Sequence, residues 1–181
     1  MDEGFDIENL YSLHQKKVYN IALNLVQSIE DAEDITQEVF LEIHRSIHNF
    51  NHQSMITTWI YRIAVNKSLD LIKSKKTKKR FAFITQLFHP QTGEQLYDIG
   101  SFIHPGIDME RKEESRFLYH AINKLNENQK TAYTLSQIQH FSQKEISSIM
   151  NLSEKAIESL IQRAKANLRI QLSNIYTKRR K

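Results

Sequence analysis

The stretch SQKEISSIMNLSEKAIESLIQRAKANLR, Ser142 to Arg169, decides the fold. Ser142 followed three residues later by Glu145 is a capping box, in which each side chain satisfies a backbone N–H that the first turn of a helix leaves free. The helix it opens turns Ile146, Ile149 and Met150 inward. Asn151, Leu152 and Ser153 then interrupt the period. Asn tolerates the left-handed backbone that a tight helix-to-helix turn requires, Leu152 is placed to plug the angle between the helices, and Ser153 is a cap for the next one. That helix buries Ile157, Ile161, Ala164 and Leu168 and presents Lys155, Glu158, Ser159, Gln162, Arg163 and Lys165 outside. A capped, polar-faced second helix after a tight turn is the pattern of a helix-turn-helix, whose second helix enters a DNA major groove. On spacing alone, a helical hairpin within a bundle fits as well.

Working outward, Phe117, Leu118, Ala121, Ile122 and Leu125 form one short amphipathic helix, broken by the turn and cap formers at Asn126 to Asn128, and a second helix runs to about His140. Of the six Gly and Pro residues in the chain, five (Pro90, Gly93, Gly100, Pro105 and Gly106) fall within one short span, which marks a linker. On either side, Ile7 to Lys76 and Arg111 to Tyr176 are free of both residue types and show helical periodicity. The expected fold is all-α: two small helical domains joined by a flexible linker, the second a helix-turn-helix four-helix domain. The boundaries are residues 1–80, a linker at 81–110, 111–176, and a basic tail at 177–181. Only FAFITQLF, Phe81 to Phe88, leaves room for a strand. The linker carries Phe81, Phe83, Leu87, Phe88, Tyr97, Phe102 and Ile103, more apolar surface than a solvated tether needs, so either domain or a partner protein should cover it.

In the first half a helix over Ile7 to Val26 places Leu10, His14, Val18, Ile21 and Leu25 on one face. Ser28 and Asp31 resemble a second capping box, and the acids that follow suit the positive end of a helix dipole. This second helix buries Ala32, Ile35, Val39, Ile43 and Ile47, closes with Phe50, and leaves Asp34, Gln37, Glu38, Leu41 and Glu42 outside. A solvated acidic face and a docking face for a basic partner both fit. Read as a helix, TWIYRIAVNKSLDLIKSKKTKKR from Thr58 to Arg80 continues a buried stripe of Ile56, just ahead of it, Ile60, Ile63, Ala64 and Ile72, and lines Trp59, Arg62, Asn66, Asp70 and Lys73 along a polar stripe that runs into a dense cationic end. An ordinary amphipathic helix whose basic end is solvated is the first reading of such a pattern, and a nucleic-acid surface is the second, since bases stack on aromatic rings, Asn and Arg read base edges, and Lys neutralises phosphate.

A composition of 40% hydrophobic and 25% charged residues belongs to a soluble globular chain, and the formal charge of +4 is split between basic Lys73 to Arg80 and Lys178 to Lys181 and acidic Glu30 to Glu42. With no cysteine, disulfides and thiolate chemistry are excluded, which fits the cytoplasm. The acidic N-terminus MDEGFDIENL reads as neither signal peptide nor membrane span. His44, His48 and His52 share a chelating four-residue spacing, but His52 lies past the expected helix end, so solvent-facing histidines are expected and no metal or cofactor is assigned. No nucleophile with a base in motif context and no phosphate-cradling glycine loop points to an enzyme.

Taken together, DAEDITQEVFLEIHRSI (Asp31 to Ile47), TTWIYRIAVNKSLDLIK (Thr57 to Lys73) and LNENQKTAYTLSQIQHFSQKEISSIMNLSEKAIESLIQRAKANLR (Leu125 to Arg169) resemble, in that order, the polymerase-binding helix, the −10 recognition and melting helix and the −35 module of the extracytoplasmic-function group of bacterial sigma factors. The resemblance implies a promoter-recognition subunit that binds core RNA polymerase. Asp34, Gln37 and Glu38 would grip the coiled coil of the largest polymerase subunit. Trp59, Tyr61, Arg62, Asn66 and Lys67 would hold the opened nontemplate strand, with the loop Asn49 to Met55 capturing a −10 base. Lys155, Glu158, Ser159, Gln162 and Arg163 would meet the −35 duplex. It further implies promoter DNA and an anti-sigma factor as partners, and a monomer when free. Asn151 stands where the family usually has glycine, and Glu158 and Leu160 stand at positions often basic or polar. The competing readings are a helix-turn-helix regulator acting without polymerase, which would usually dimerise, and a helical protein-interaction module.

Overall fold

The computed structural model describes residues 6–50, 54–88, 105 and 112–179, with backbone alone at 82–88, 112 and 174–179. Every regular element among them is helical. Asp6 opens α1 (Ile7–Val26) by accepting the N–H groups of Glu8 and Asn9, and Gln27 closes it in a left-handed conformation at φ 57°, its N–H on the Leu23 carbonyl at 2.8 Å. Ser28 caps α2 (Ile29–Ser46) by accepting the Asp31 N–H at 3.3 Å. The expected capping box is only half made there, because the Asp31 carboxylate turns instead to Lys75 Nζ, 2.6 Å away. Ala32, Ile35, Val39, Ile43 and Ile47 are buried as the period requires. A 3-10 turn (Ile47–Asn49) follows.

The third helix, α3, runs from Ile56 to Phe88, 33 residues. It therefore passes through Phe81–Phe88, where a strand was conceivable, and crosses the expected domain boundary. Nothing in Thr57 to Gln86 breaks a helix, and a run of Lys favours one once it is anchored at its apolar end. Phe81 is largely exposed; the other apolar linker residues, Phe83 to Ile103, lie outside the described side chains.

In the C-terminal half, α4 (Lys112–Asn123) is separated from α5 (Glu127–Tyr133) only by Lys124 to Asn126. The break lies two residues earlier than Asn126 to Asn128: Asn126 caps α5 by accepting the Gln129 N–H at 2.9 Å, so Glu127 and Asn128 are already helical. A π-turn over Thr134–Ile138 widens the chain before α6 (Gln143–Met150), and α7 spans Glu154–Arg179, running on through the start of the expected basic tail. At the π-turn the Gln139 N–H reaches five residues back to the Thr134 carbonyl at 3.0 Å, and His140 then takes φ 59°.

The two halves do not keep separate cores. One cluster joins Leu10, Ile21, Val39 and Ile60 of the first half to Leu135, Ile146 and Ile157 of the second, while a smaller one gathers Tyr119, Ile122, Ala164 and Leu168. The C-terminal domain thus lies on α1 and α3.

Candidate nucleic-acid and polymerase interface

The helix-turn-helix forms as its caps dictate. The Ser142 N–H and hydroxyl both donate to Glu145 Oε2, at 2.8 and 2.7 Å, while the Glu145 N–H returns to the Ser142 hydroxyl at 3.3 Å. Those two bonds hold the Glu145 carboxyl below its ordinary pKa. Asn151 adopts the left-handed conformation at φ 53°, ψ 47°. Leu152, at 36% exposure, does not plug the angle between the helices. The turn is closed instead by two bonds between Ser147 and Leu152: the Leu152 N–H donates to the Ser147 carbonyl at 3.1 Å, and the Ser147 hydroxyl donates to the Leu152 carbonyl. Ser153 caps α7 by accepting the Ala156 N–H at 3.2 Å.

Ile157, Ile161, Ala164 and Leu168 anchor α7 in the core. Lys155, Glu158, Gln162 and Arg163 consequently stand exposed on its other side, with Ser159 half-buried between them. The Gln162 amide donates to Glu158 at 3.3 Å, one helical turn away, so a carboxylate that phosphates would repel is partly occupied by its neighbour.

On α2, Asp34, Gln37 and Glu38 are exposed together with Leu41, which is 55% accessible. Glu38 also reaches across to α3, where Lys67 Nζ lies 3.4 Å from its carboxylate. The acidic face and the expected strand-holding face are therefore contiguous.

The five expected strand-holding residues on α3 separate into two sets. Helical spacing puts Trp59, Arg62 and Asn66 on one stripe with Lys67 beside it. Trp59 is half-buried and leans on Phe50, ring centroids 5.3 Å apart, while Asn66 is exposed. Tyr61 points the other way: its hydroxyl meets His14 Nδ1 at 3.0 Å and its ring packs on Phe141 at 5.3 Å, and burial raises its pKa. Arg62 donates from Nη2 to the Ser148 carbonyl at 2.6 Å. In the basic run, Lys73, Lys75 and Lys76 each face a carboxylate, from Asp70, Asp31 and Glu127 respectively, leaving Lys78, Lys79 and Arg80 exposed further along the same helix.

Some residues around these faces escaped the sequence reading. Lys17 donates to the Gln139 carbonyl at 2.7 Å and sits 4.6 Å over the Phe141 ring; its partners are more than a hundred residues away, and no local pattern signals them. Phe50 was legible as a closing apolar residue but not as the support of Trp59. His44 and His48 are exposed and His52 lies outside the described residues; among those described, no three His, Cys, Asp or Glu side chains group as metal ligands. No helix among them is long and apolar enough to cross a membrane.

The same two regions are those that known families match. The model of sigma-70 region 2 matches residues 10–78 and that of sigma-70 region 4 matches residues 117–168. Over 160 residues the chain is 31% identical to the ECF RNA polymerase sigma-E factor of Haemophilus influenzae, covering 86% of this chain and 82% of that one. The chain belongs to the extracytoplasmic-function sigma factors. It is also 26% identical over 169 residues to the ECF RNA polymerase sigma factor SigW of Bacillus subtilis, covering 92% and 89% of the two chains. Among solved structures, the fold of this sigma factor is similar to that of the sigma factor RpoE from Bartonella quintana, crystallised with the anti-sigma factor NepR, at TM-score 0.65, 18% identity and coverage of 93% and 97%. It is similar too to CnrH in complex with the cytosolic domain of CnrY, at TM-score 0.64, 22% identity and coverage of 93% and 88%.

Proposed function

We propose that this sigma factor docks on core RNA polymerase through Asp34, Gln37 and Glu38, holds the opened −10 strand with Trp59, Arg62, Asn66 and Lys67 while Tyr61 braces the helix from its other side against His14 and Phe141, and reads the −35 duplex with Lys155, Glu158, Ser159, Gln162 and Arg163. One observation carries the reading: a single chain joins an exposed acidic helix, an adjoining aromatic and cationic helix, and a capped helix-turn-helix whose polar face is open. The two units take residues 1–80 and 111–176, with α3 carrying the first on to Phe88 within the intervening span 81–110 and a basic end at 177–181. The chain acts in the cytoplasm, supplies binding and strand separation, and leaves RNA synthesis to the polymerase.

The energetics explain why polymerase is needed. Unstacking a base costs a few kcal/mol, and stacking it on an aromatic side chain returns roughly 1–3 kcal/mol, so one captured base is near break-even. Several captures must combine with polymerase contacts. The sigma factor RpoE of the first similar structure is bound by the anti-sigma factor NepR, and CnrH of the second by the cytosolic domain of CnrY; an anti-sigma factor is the regulator expected for this chain.

Transcription in vitro with core polymerase and a genomic promoter library, with and without the chain, tests the reading. Transcripts starting at defined promoters only when the chain is present are expected. A chain that neither binds core nor directs any start would overturn it.

A further inference from the structure

The outward stripe of α7 carries a negative charge where a helix bound to DNA usually carries none. Lys155, Glu158, Gln162 and Lys165 follow one another at three- and four-residue steps, all exposed, on the side opposite Ile157, Ile161 and Ala164. From Lys155 to Lys165 the helix rises about 15 Å, close to the major-groove width of about 12 Å. A stripe of that length sets Glu158 and Gln162, at its middle, over base edges, with a cation at each end within reach of phosphate.

A carboxylate in that position is repelled by phosphate and loses water on entry, so it stabilises a complex only where a donor meets it. The partner the fold gives Glu158 is a neutral amide: Gln162 Nε2 donates to its Oε1 at 3.3 Å, so the negative charge stands uncancelled at the surface. That bond orients the amide, because its oxygen turned toward a carboxylate would be repelled, and it leaves Glu158 Oε2 to accept from outside the protein. The major groove holds two kinds of donor, the N4 amino group of cytosine and the N6 amino group of adenine. Adenine sets its N7 acceptor beside that donor, where the second carboxylate oxygen is repelled, whereas cytosine does not. Guanine and thymine present O6, N7 or O4, acceptors against an acceptor.

We propose that Glu158 is a base-specifying residue of this sigma factor, accepting the N4 amino group of one cytosine in the −35 duplex through Oε2, and that Gln162 aims it. The proposal rests on the reading of α7 as the −35 helix and adds to it the base that one residue requires. A basic residue, frequent at this position in the family, would donate to phosphate or to guanine. Reversing the sign turns a donor into an acceptor and so inverts which base is admitted.

The test takes a promoter recovered from the genomic library, randomises its −35 element, and sequences the duplexes retained by core polymerase carrying this chain. The wild type should require cytosine at one position, losing about tenfold in affinity with any other base there. Glu158→Gln should shift that preference to adenine, which an amide pairs through N6 and N7, and Glu158→Lys should shift it to guanine, with the other positions of the element unchanged. Gln162→Ala should weaken the cytosine preference by roughly twofold without moving it; an undiminished preference would overturn the aiming role. If the Glu158 variants bind every duplex more tightly in equal measure, the carboxylate only repels phosphate and the assignment falls. It falls too if the cytosine preference survives Glu158→Gln or is missing from the wild type while other positions are selected. Retention that ignores every base of the element, in wild type and variants alike, would remove the −35 reading of α7 itself.

Discussion

Single side chains decide how the proposed faces are to be probed. Glu38 would be the obvious place to reverse charge on the polymerase-docking face, but Lys67 lies 3.4 Å away, so Glu38→Lys would set two cations against each other and disturb the −10 face as well. Asp34 is exposed one turn earlier on the same helix. Asp34→Lys should therefore lower core binding by about tenfold in a competition assay while leaving −35 duplex binding unchanged; loss of both would place Asp34 in the fold rather than at the docking face. Asn66, exposed beside Trp59, gives the reciprocal test. Asn66→Ala should reduce promoter opening, read by permanganate reactivity of unpaired thymines, with core binding intact. An equal loss of both would mean that this side of α3 faces polymerase.

At the scale of the element, the turn between α6 and α7 is held by a backbone conformation and two caps, each separately testable. Asn151 sits at φ 53°, where a β-branched side chain collides with its own backbone. Asn151→Val should cost about 1–2 kcal/mol in urea denaturation, whereas Asn151→Gly, the residue usual in the family, should be close to neutral; equal effects of the two would remove the left-handed turn. The capping box adds a pH dependence. The folded pKa of Glu145 lies below its ordinary value of 4.5 because the ionised carboxylate accepts the Ser142 bonds. Its contribution is thus fully present above that ordinary value and is lost as pH falls through the lower, folded one. Amide exchange in the first turn of α6 should speed up over that acidic window, and Glu145→Gln should remove the dependence. Both caps were readable in the sequence, because a cap and its partner stand three residues apart. The same rule misjudged Ser28 and Asp31, where Lys75, 44 residues further along the chain, takes the carboxylate. A local motif holds only when no stronger distant partner competes for its side chain.

For the whole molecule, the basic end of α3 projects past the core as a continuous helix, with three of its cations facing carboxylates and Lys78, Lys79 and Arg80 exposed further on. Replacing those last three by Gln should reduce the slope of log affinity against log salt for promoter binding by the holoenzyme by roughly 2–3, and should leave the melting temperature of the free chain nearly unchanged; an unaltered slope would mean that the run does not meet phosphate. The amino-acid sequence by itself determined the all-α class, the extent of α1, the buried stripe of α2, the capped helix-turn-helix and the family, because each of these depends on residues within a few helical turns of one another. Helical period, cap chemistry and the left-handed preference of Asn are local forces. What only the tertiary structure decided is how the halves meet: that Tyr61 turns toward His14 and Phe141, that Arg62 rests on a carbonyl 86 residues away, and that Lys130 is buried at the end of a polar chain from α1. Those pairings depend on the packing of two surfaces that are each complete helical patterns already, and burial acts on whichever side chains are brought together, leaving no periodic trace in the chain that supplies them.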